Sequence, residues 1–287
     1  MAHRSNLLSL VLIGACAFSG ASPGRAAPLW QTLPPTPDLP PRGISQISTV
    51  NGVRLWYERW GQASESPVLL LHGGLANANY FGLLIPALLA RHYQVIAVDS
   101  RGHGRSTRDA KPYSYELMAQ DVLGLMDHLG LRHVSIVGWS DGGVVGLVLA
   151  IDHADRVERL YAFGANADTS GAIDGCEKNP VFAAYIARAE QEYARLSPTP
   201  DQWEEFSDAI GKMWSTQPDL SREQLHSIQL PVAIADGEHD ECIKSEHTRY
   251  MASTIPGAQL VVLSGLSHFA FLQDPKMANA SVLSFLR

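Results

Sequence analysis

The stretch Val134-Ser135-Ile136-Val137-Gly138-Trp139-Ser140-Asp141-Gly142-Gly143-Val144-Val145 decides how this chain is read. Residues 133–137 form a short apolar run that suits a strand buried on both faces. Residues 141–151 read as a helix, and between the two lies a G-x-S-x-G turn. A strand that reverses sharply into a helix crowds the residues on either side of its apex, so Gly138 and Gly142 are the small residues that such a turn needs. The apex, Ser140, is thereby lifted to the C-terminal edge of the strand, where open α/β sheets bind their ligands. Ser140 is the candidate nucleophile.

Working outward, the same alternation continues in both directions. Residues 44–50 and 53–59 alternate apolar and polar positions around Asn51-Gly52, a β-hairpin with a type I′ turn. Buried strands follow at 68–71, ending in His72-Gly73-Gly74, and at 94–98, ending at Asp99. Residues 80–91 have room for a helix, with Pro86 marking a break. Ser114 caps a helix that Gly130 ends. Further strands lie at 159–163, 231–235 and 259–263, with helices near 244–254 and 275–285. This order implies an α/β architecture, a doubly wound and mainly parallel sheet. Residues 166–226 interrupt it with helical stretches at 181–196 and 202–214, a helical lid insertion.

A serine cannot attack unaided at neutral pH and needs a base. Among eleven histidines, His268 follows the last strand and is delivered to the same sheet edge as Ser140. His239 is the rival, in an acidic turn that suits a solvated residue. The base in turn needs a carboxylate to orient it. Asp236, Glu238, Asp240 and Glu241 all follow the strand at 231–235. Asp240 lies in the loop beyond that strand, within reach of His268, whereas Asp236 is near enough to the strand end to shape the turn instead. The acidic cluster lacks metal-ligand spacing. The developing oxyanion needs backbone donors, for which the N–H groups of Asp141 and Gly74, or Leu75, are the candidates. Trp139, Trp214, Leu75 and the Asp141 side chain are candidate substrate contacts.

Taken together, His72-Gly73-Gly74, Asp99 to Ser106, Gly138 to Gly143, Gly237-Glu238-His239-Asp240 and Ser267-His268 resemble the α/β-hydrolase superfamily over residues 44–287. The resemblance makes Asp240 the orienting acid and His268 the base. It implies a carboxylesterase-like serine hydrolase that cleaves an ester, lactone or activated amide of a small molecule through an acyl-enzyme, with no cofactor. Gly138 to Gly143 and Phe163-Gly164-Ala165-Asn166 look most like valacyclovir hydrolase relatives. Those enzymes hydrolyse α-amino acid esters, which implies that Asp141 holds a substrate ammonium. A slow-turnover binding or sensing protein on the same fold is the alternative.

The formal charge is −7 with no basic cluster, which argues against a nucleic-acid partner. Residues 1–26 read as a secretory signal, with a positive start and an apolar run at 7–18 too short to span a bilayer. Ile13 to Cys16 resembles a lipobox, so a lipid anchor at Cys16 competes with simple secretion. The expectation is export, to the periplasm or the medium. Residues 27–43 are proline-rich and read as an extended linker. Cys176 and Cys242 either pair or remain free thiols, and no feature of the sequence speaks to the oligomeric state.

Overall fold

The computed structural model describes residues 27–287. Eight strands form one sheet: β1 (Ile44–Val50), β2 (Val53–Trp60), β3 (Ser66–Leu71), β4 (Tyr93–Val98), β5 (Val134–Trp139), β6 (Val157–Phe163), β7 (Val232–Gly237) and β8 (Gln259–Leu263). Their order is β1-β2-β4-β3-β5-β6-β7-β8. The β1–β2 and β2–β4 pairs are antiparallel, and all the others are parallel. Asn51 and Gly52 both have positive φ, 47° and 83°, as a type I′ turn requires.

The helices are α1 (Ile85–Leu89), α2 (Tyr115–His128), α3 (Asp141–Asp152), α4 (Pro180–Leu196), α5 (Trp203–Trp214), α6 (Arg222–Ser227), α7 (Ser245–Thr254), α8 (Ala270–Gln273) and α9 (Pro275–Phe285). Pro86 stands in the first turn of α1, where its missing N–H costs nothing; the helix expected over 80–91 is broken there into a 3-10 turn at Ala78–Phe81 and α1. Apolar clusters cover both faces of the sheet, so every residue of β5 is buried. Among the described residues no helix is long and apolar enough to cross a membrane.

Between β6 and β7 the chain leaves the sheet and builds α4, α5 and α6. A disulfide between Cys176, just before α4, and Cys242, just after β7, clips this insertion to the sheet edge. The cysteines therefore pair.

The proline-rich residues 28–43 are extended apart from a 3-10 turn at Leu29–Gln31 and a turn at 41–42, but they lie along the body of the protein. The Arg188 guanidinium on α4 donates to the Leu33 and Pro34 carbonyls at 2.8 and 2.6 Å. The Gln273 amide donates to Thr32 O at 2.9 Å, and Trp30 stacks on His239 with centroids 4.6 Å apart.

Candidate active site

Four loops meet at the C-terminal edge of the central strands. The first carries Ser140, at φ 53° and ψ −120° between β5 and α3. That conformation is strained for any residue with a Cβ, and it persists because the elbow is packed from every side. A Cβ on Gly142 would run into the Leu71 carbonyl at the end of β3. Only glycine lets the elbow sit this close to the neighbouring strand.

The second and third loops bring His268 and Asp240 together. His268 Nδ1 lies 2.6 Å from Asp240 Oδ2, with both side chains almost wholly buried. The other carboxylate oxygen, Oδ1, accepts the N–H groups of Cys242 and Ile243, each at 2.8 Å. These bonds fix the carboxylate and favour its ionised form, whereas burial pushes it up to about 7. Burial also lowers His268, since the imidazolium is costly to bury, and the charges of Glu241, Asp236 and Asp141 offset this only in part. The imidazole is therefore held neutral. With its Nδ1–H donated to Asp240, Nε2 keeps a free lone pair. Gly164, at φ 60°, makes room for this pair: a Cβ there would lie 2.9 Å from the His268 ring and 3.4 Å from Asp240.

Neither rival takes the place of Asp240 or His268, although the Asp236 carboxyl adjoins Asp240 and is pushed up by burial and by that neighbour. Asp236 belongs to β7, which extends to Gly237, and its carboxylate accepts the Gly237 N–H at 2.8 Å and the Thr248 hydroxyl at 2.6 Å. His239 is exposed against Trp30.

Ser140, Asp141, His268 and Trp214 line one cavity of about 170 Å³, together with Tyr115, Phe182 and the disulfide. A larger hollow of about 690 Å³ lies on the other side of Asp240, between Trp30, His239 and the start of α4, and Ser140 does not line it. Asp141 is buried, and burial pushes its carboxyl up to about 6. It accepts the Tyr115 hydroxyl at 2.9 Å and the Trp214 indole N–H at 2.9 and 3.0 Å.

Two expected substrate contacts are corrected. Trp139 does not line the cavity. Its ring packs on Tyr80, Tyr185 and Phe269, because successive residues at the strand end point to opposite faces. The Leu75 side chain lies in the hydrophobic core and does not line the cavity. Sequence reasoning missed Tyr115, whose hydroxyl reaches Asp141, and the bond from the Tyr185 hydroxyl to the Gly74 carbonyl. It also missed Glu241 as the acceptor of the His268 N–H, at 3.1 Å. No local motif marks any of the three for these roles.

The family described as alpha/beta hydrolase fold matches residues 66–196. The meta-cleavage product hydrolase of Pseudomonas fluorescens IP01 superposes with a TM-score of 0.73 at 24% identity, covering 84% of this chain and 97% of that one. The chain has the α/β-hydrolase fold.

Serine hydrolase BPHL of Mus musculus is 28% identical to this chain over 255 residues, covering 83% of this chain and 84% of its own. The RutD protein of Caulobacter sp. strain K31, named for carbamate hydrolysis, is 28% identical over 270 residues, 84% of this chain and 98% of its own. These relatives overturn the expectation of export, because neither offers a counterpart among periplasmic, secreted or lipid-anchored enzymes. Residues 1–26 and Cys16, on which that expectation rested, lie outside the described residues.

Proposed function

We propose that the hydrolase cleaves a carboxylic ester of a small molecule through an acyl-enzyme on Ser140. The observation that carries this reading is the 2.6 Å His268–Asp240 pair in the loops around the strained Ser140 elbow. His268 Nε2 takes the hydroxyl proton as Ser140 Oγ attacks the carbonyl carbon. Asp240 stabilises the imidazolium that results. The N–H of Asp141 opens α3 and has no partner within the helix, so it is free for the oxyanion, with the Gly74–Leu75 turn opposite. His268 then gives its proton to the leaving alcohol, and a water activated by the same imidazole releases the acid. The α4–α5 insertion acts as a lid. A cavity of about 170 Å³ lies below the usual range of roughly 300–1,000 Å³ for ligand sites, which favours short acyl groups.

A second reading concerns the substrate. Asp141 is a buried carboxylate in the cavity whose partners, Tyr115 and Trp214, are neutral. Its free lone pairs suit an ammonium, as in an α-amino acid ester, the chemistry that the resemblance to valacyclovir hydrolase relatives implies.

The test is turnover of p-nitrophenyl acetate, octanoate and an aminoacyl ester by the wild type and by Ser140→Ala, His268→Ala, Asp240→Asn and Asp236→Asn. Loss of turnover in the first two, a fall of roughly 10³-fold or more in Asp240→Asn, and little change in Asp236→Asn are expected. Retained turnover in Ser140→Ala would remove the nucleophile assignment. A wild type that binds esters without releasing product would favour a binding or sensing role.

A further inference from the structure

The turn opposite Asp141 is held by an unusual set of partners. The Gly73 carbonyl accepts the Ala76 N–H at 3.2 Å and lies 2.7 Å from His72 Nδ1. Because His72 Nε2 accepts the Ser100 N–H at 3.0 Å, the proton of that neutral ring sits on Nδ1 and is donated to Gly73 O. The next carbonyl, Gly74 O, turns the other way and accepts the Tyr185 hydroxyl at 2.5 Å. Leu75 follows at φ 64°, a left-handed conformation that a leucine does not adopt without outside support. Its N–H finds no backbone acceptor among the described residues.

In a trans peptide the C=O and N–H point in opposite directions. Fixing Gly74 O on Tyr185 therefore fixes the direction of the Leu75 N–H. Gly73 stands directly beside the nucleophile, since a Cβ on it would lie 3.1 Å from Ser140 Cβ. Tyr185 does not come from the sheet. It is carried by α4, the first long helix of the insertion, and is buried among Trp139, Tyr80, Phe182 and Phe269.

We propose that Tyr185 is a positioning residue whose hydroxyl holds the Gly74–Leu75 peptide so that the Leu75 N–H faces the developing oxyanion, and that the oxyanion site is complete only while α4 is docked. This rests on the acyl-enzyme reading above. The insertion then does more than shape the pocket: its seating switches on the electrostatic part of catalysis.

The experiment compares wild type, Tyr185→Phe, Tyr80→Phe and Ser140→Ala with p-nitrophenyl acetate. Each active protein is also titrated with an aryl trifluoromethyl ketone, whose adduct with Ser140 carries an oxyanion, and with phenol, a neutral leaving-group analogue that has no carbonyl or carboxylate oxygen. Tyr185→Phe is expected to lower kcat roughly 10- to 100-fold with KM within about twofold. Inhibition by the ketone should weaken by a similar factor while inhibition by phenol is unchanged. Tyr80→Phe, which removes a neighbouring buried hydroxyl that does not bond to the turn, should stay within about twofold of wild type in kcat. The proposal is overturned if Tyr185→Phe keeps kcat within twofold. It also falls if ketone and phenol inhibition weaken together, the pattern of a generally loosened pocket. Wild-type turnover in Ser140→Ala would instead overturn the acyl-enzyme reading and this proposal with it.

Discussion

The indole Nε1 of Trp139 donates to the carbonyl oxygen of His268 at 2.9 Å. The residue beside the candidate nucleophile thus holds the backbone of the candidate base, although the two lie 129 positions apart. Any drift of the His268 loop would pull against β5 itself. The distance between nucleophile and base is therefore set by a direct tie as well as by the sheet.

Replacing Trp139 with Phe keeps an aromatic ring in the cluster but removes the donor. The expected result is a fall in kcat of roughly 10-fold, with a stability loss of about 1–3 kcal/mol from the buried carbonyl left without its partner. Steady-state kinetics and urea unfolding check both parts. Unchanged kcat would mean that the loop is held adequately by Glu241.

The pH profile follows from the burial of His268. Its imidazole loses its proton more readily than an ordinary histidine, so the active neutral form persists to lower pH. The acid limb of kcat/KM should lie below 6.5, the ordinary value. A limb above 6.5 in wild type would contradict this account of the site.

Asp141 ties function to stability. Burial raises its carboxyl from 3.8 to about 6, so between those values the folded protein keeps a proton that the unfolded chain has lost. The resulting stability is fully present below about pH 4 and is lost as the pH rises to about 6. The whole effect is on the order of 3 kcal/mol. Urea unfolding from pH 4 to 8 should show a shallower decline in Asp141→Asn than in wild type, the remainder coming from the raised Asp240. If an ammonium binds there, KM for an aminoacyl ester should fall as the pH passes about 6, while KM for the acetate ester does not. An identical pH slope in the variant would show that the carboxyl is not perturbed.

Reducing the Cys176–Cys242 disulfide opens a loop with a sequence separation of 66 residues. In the chain-entropy model this costs about 4 kcal/mol. Cys176→Ser should lower the unfolding midpoint, and adding a dithiol should lower wild type to the same value and leave the variant unaffected. Calorimetry with and without the dithiol reads this directly. A midpoint insensitive to both would mean that the clip adds no stability.

The sheet was legible because buried strands announce themselves as short apolar runs, and the elbow because its glycines are forced by close approach. The edge of β7 was less so. A strand ending at residue 235 leaves Asp236 and Asp240 as competing acids. Only the extension to Gly237, which commits Asp236 to Thr248, separates them. Trp139 was misread because sequence adjacency to Ser140 says nothing about which face of the sheet a side chain takes. Tyr115, Asp141 and Trp214 come from α2, α3 and α5, and no periodicity encodes a meeting of three helices. Proline content gave the extension of residues 28–43 but not the surface on which they lie.

That surface has a practical consequence. The Leu33 and Pro34 carbonyls hold α4 through Arg188, and the Thr32 carbonyl holds α8, next to the His268 loop, through Gln273. Three consecutive peptide groups therefore act as a seam between two parts of the molecule that are far apart in sequence. The α4–α5 insertion is not an interchangeable cartridge. Grafting another hydrolase's insertion onto this sheet, or trimming the chain back to Ile44, would unpick the stitching that registers one against the other.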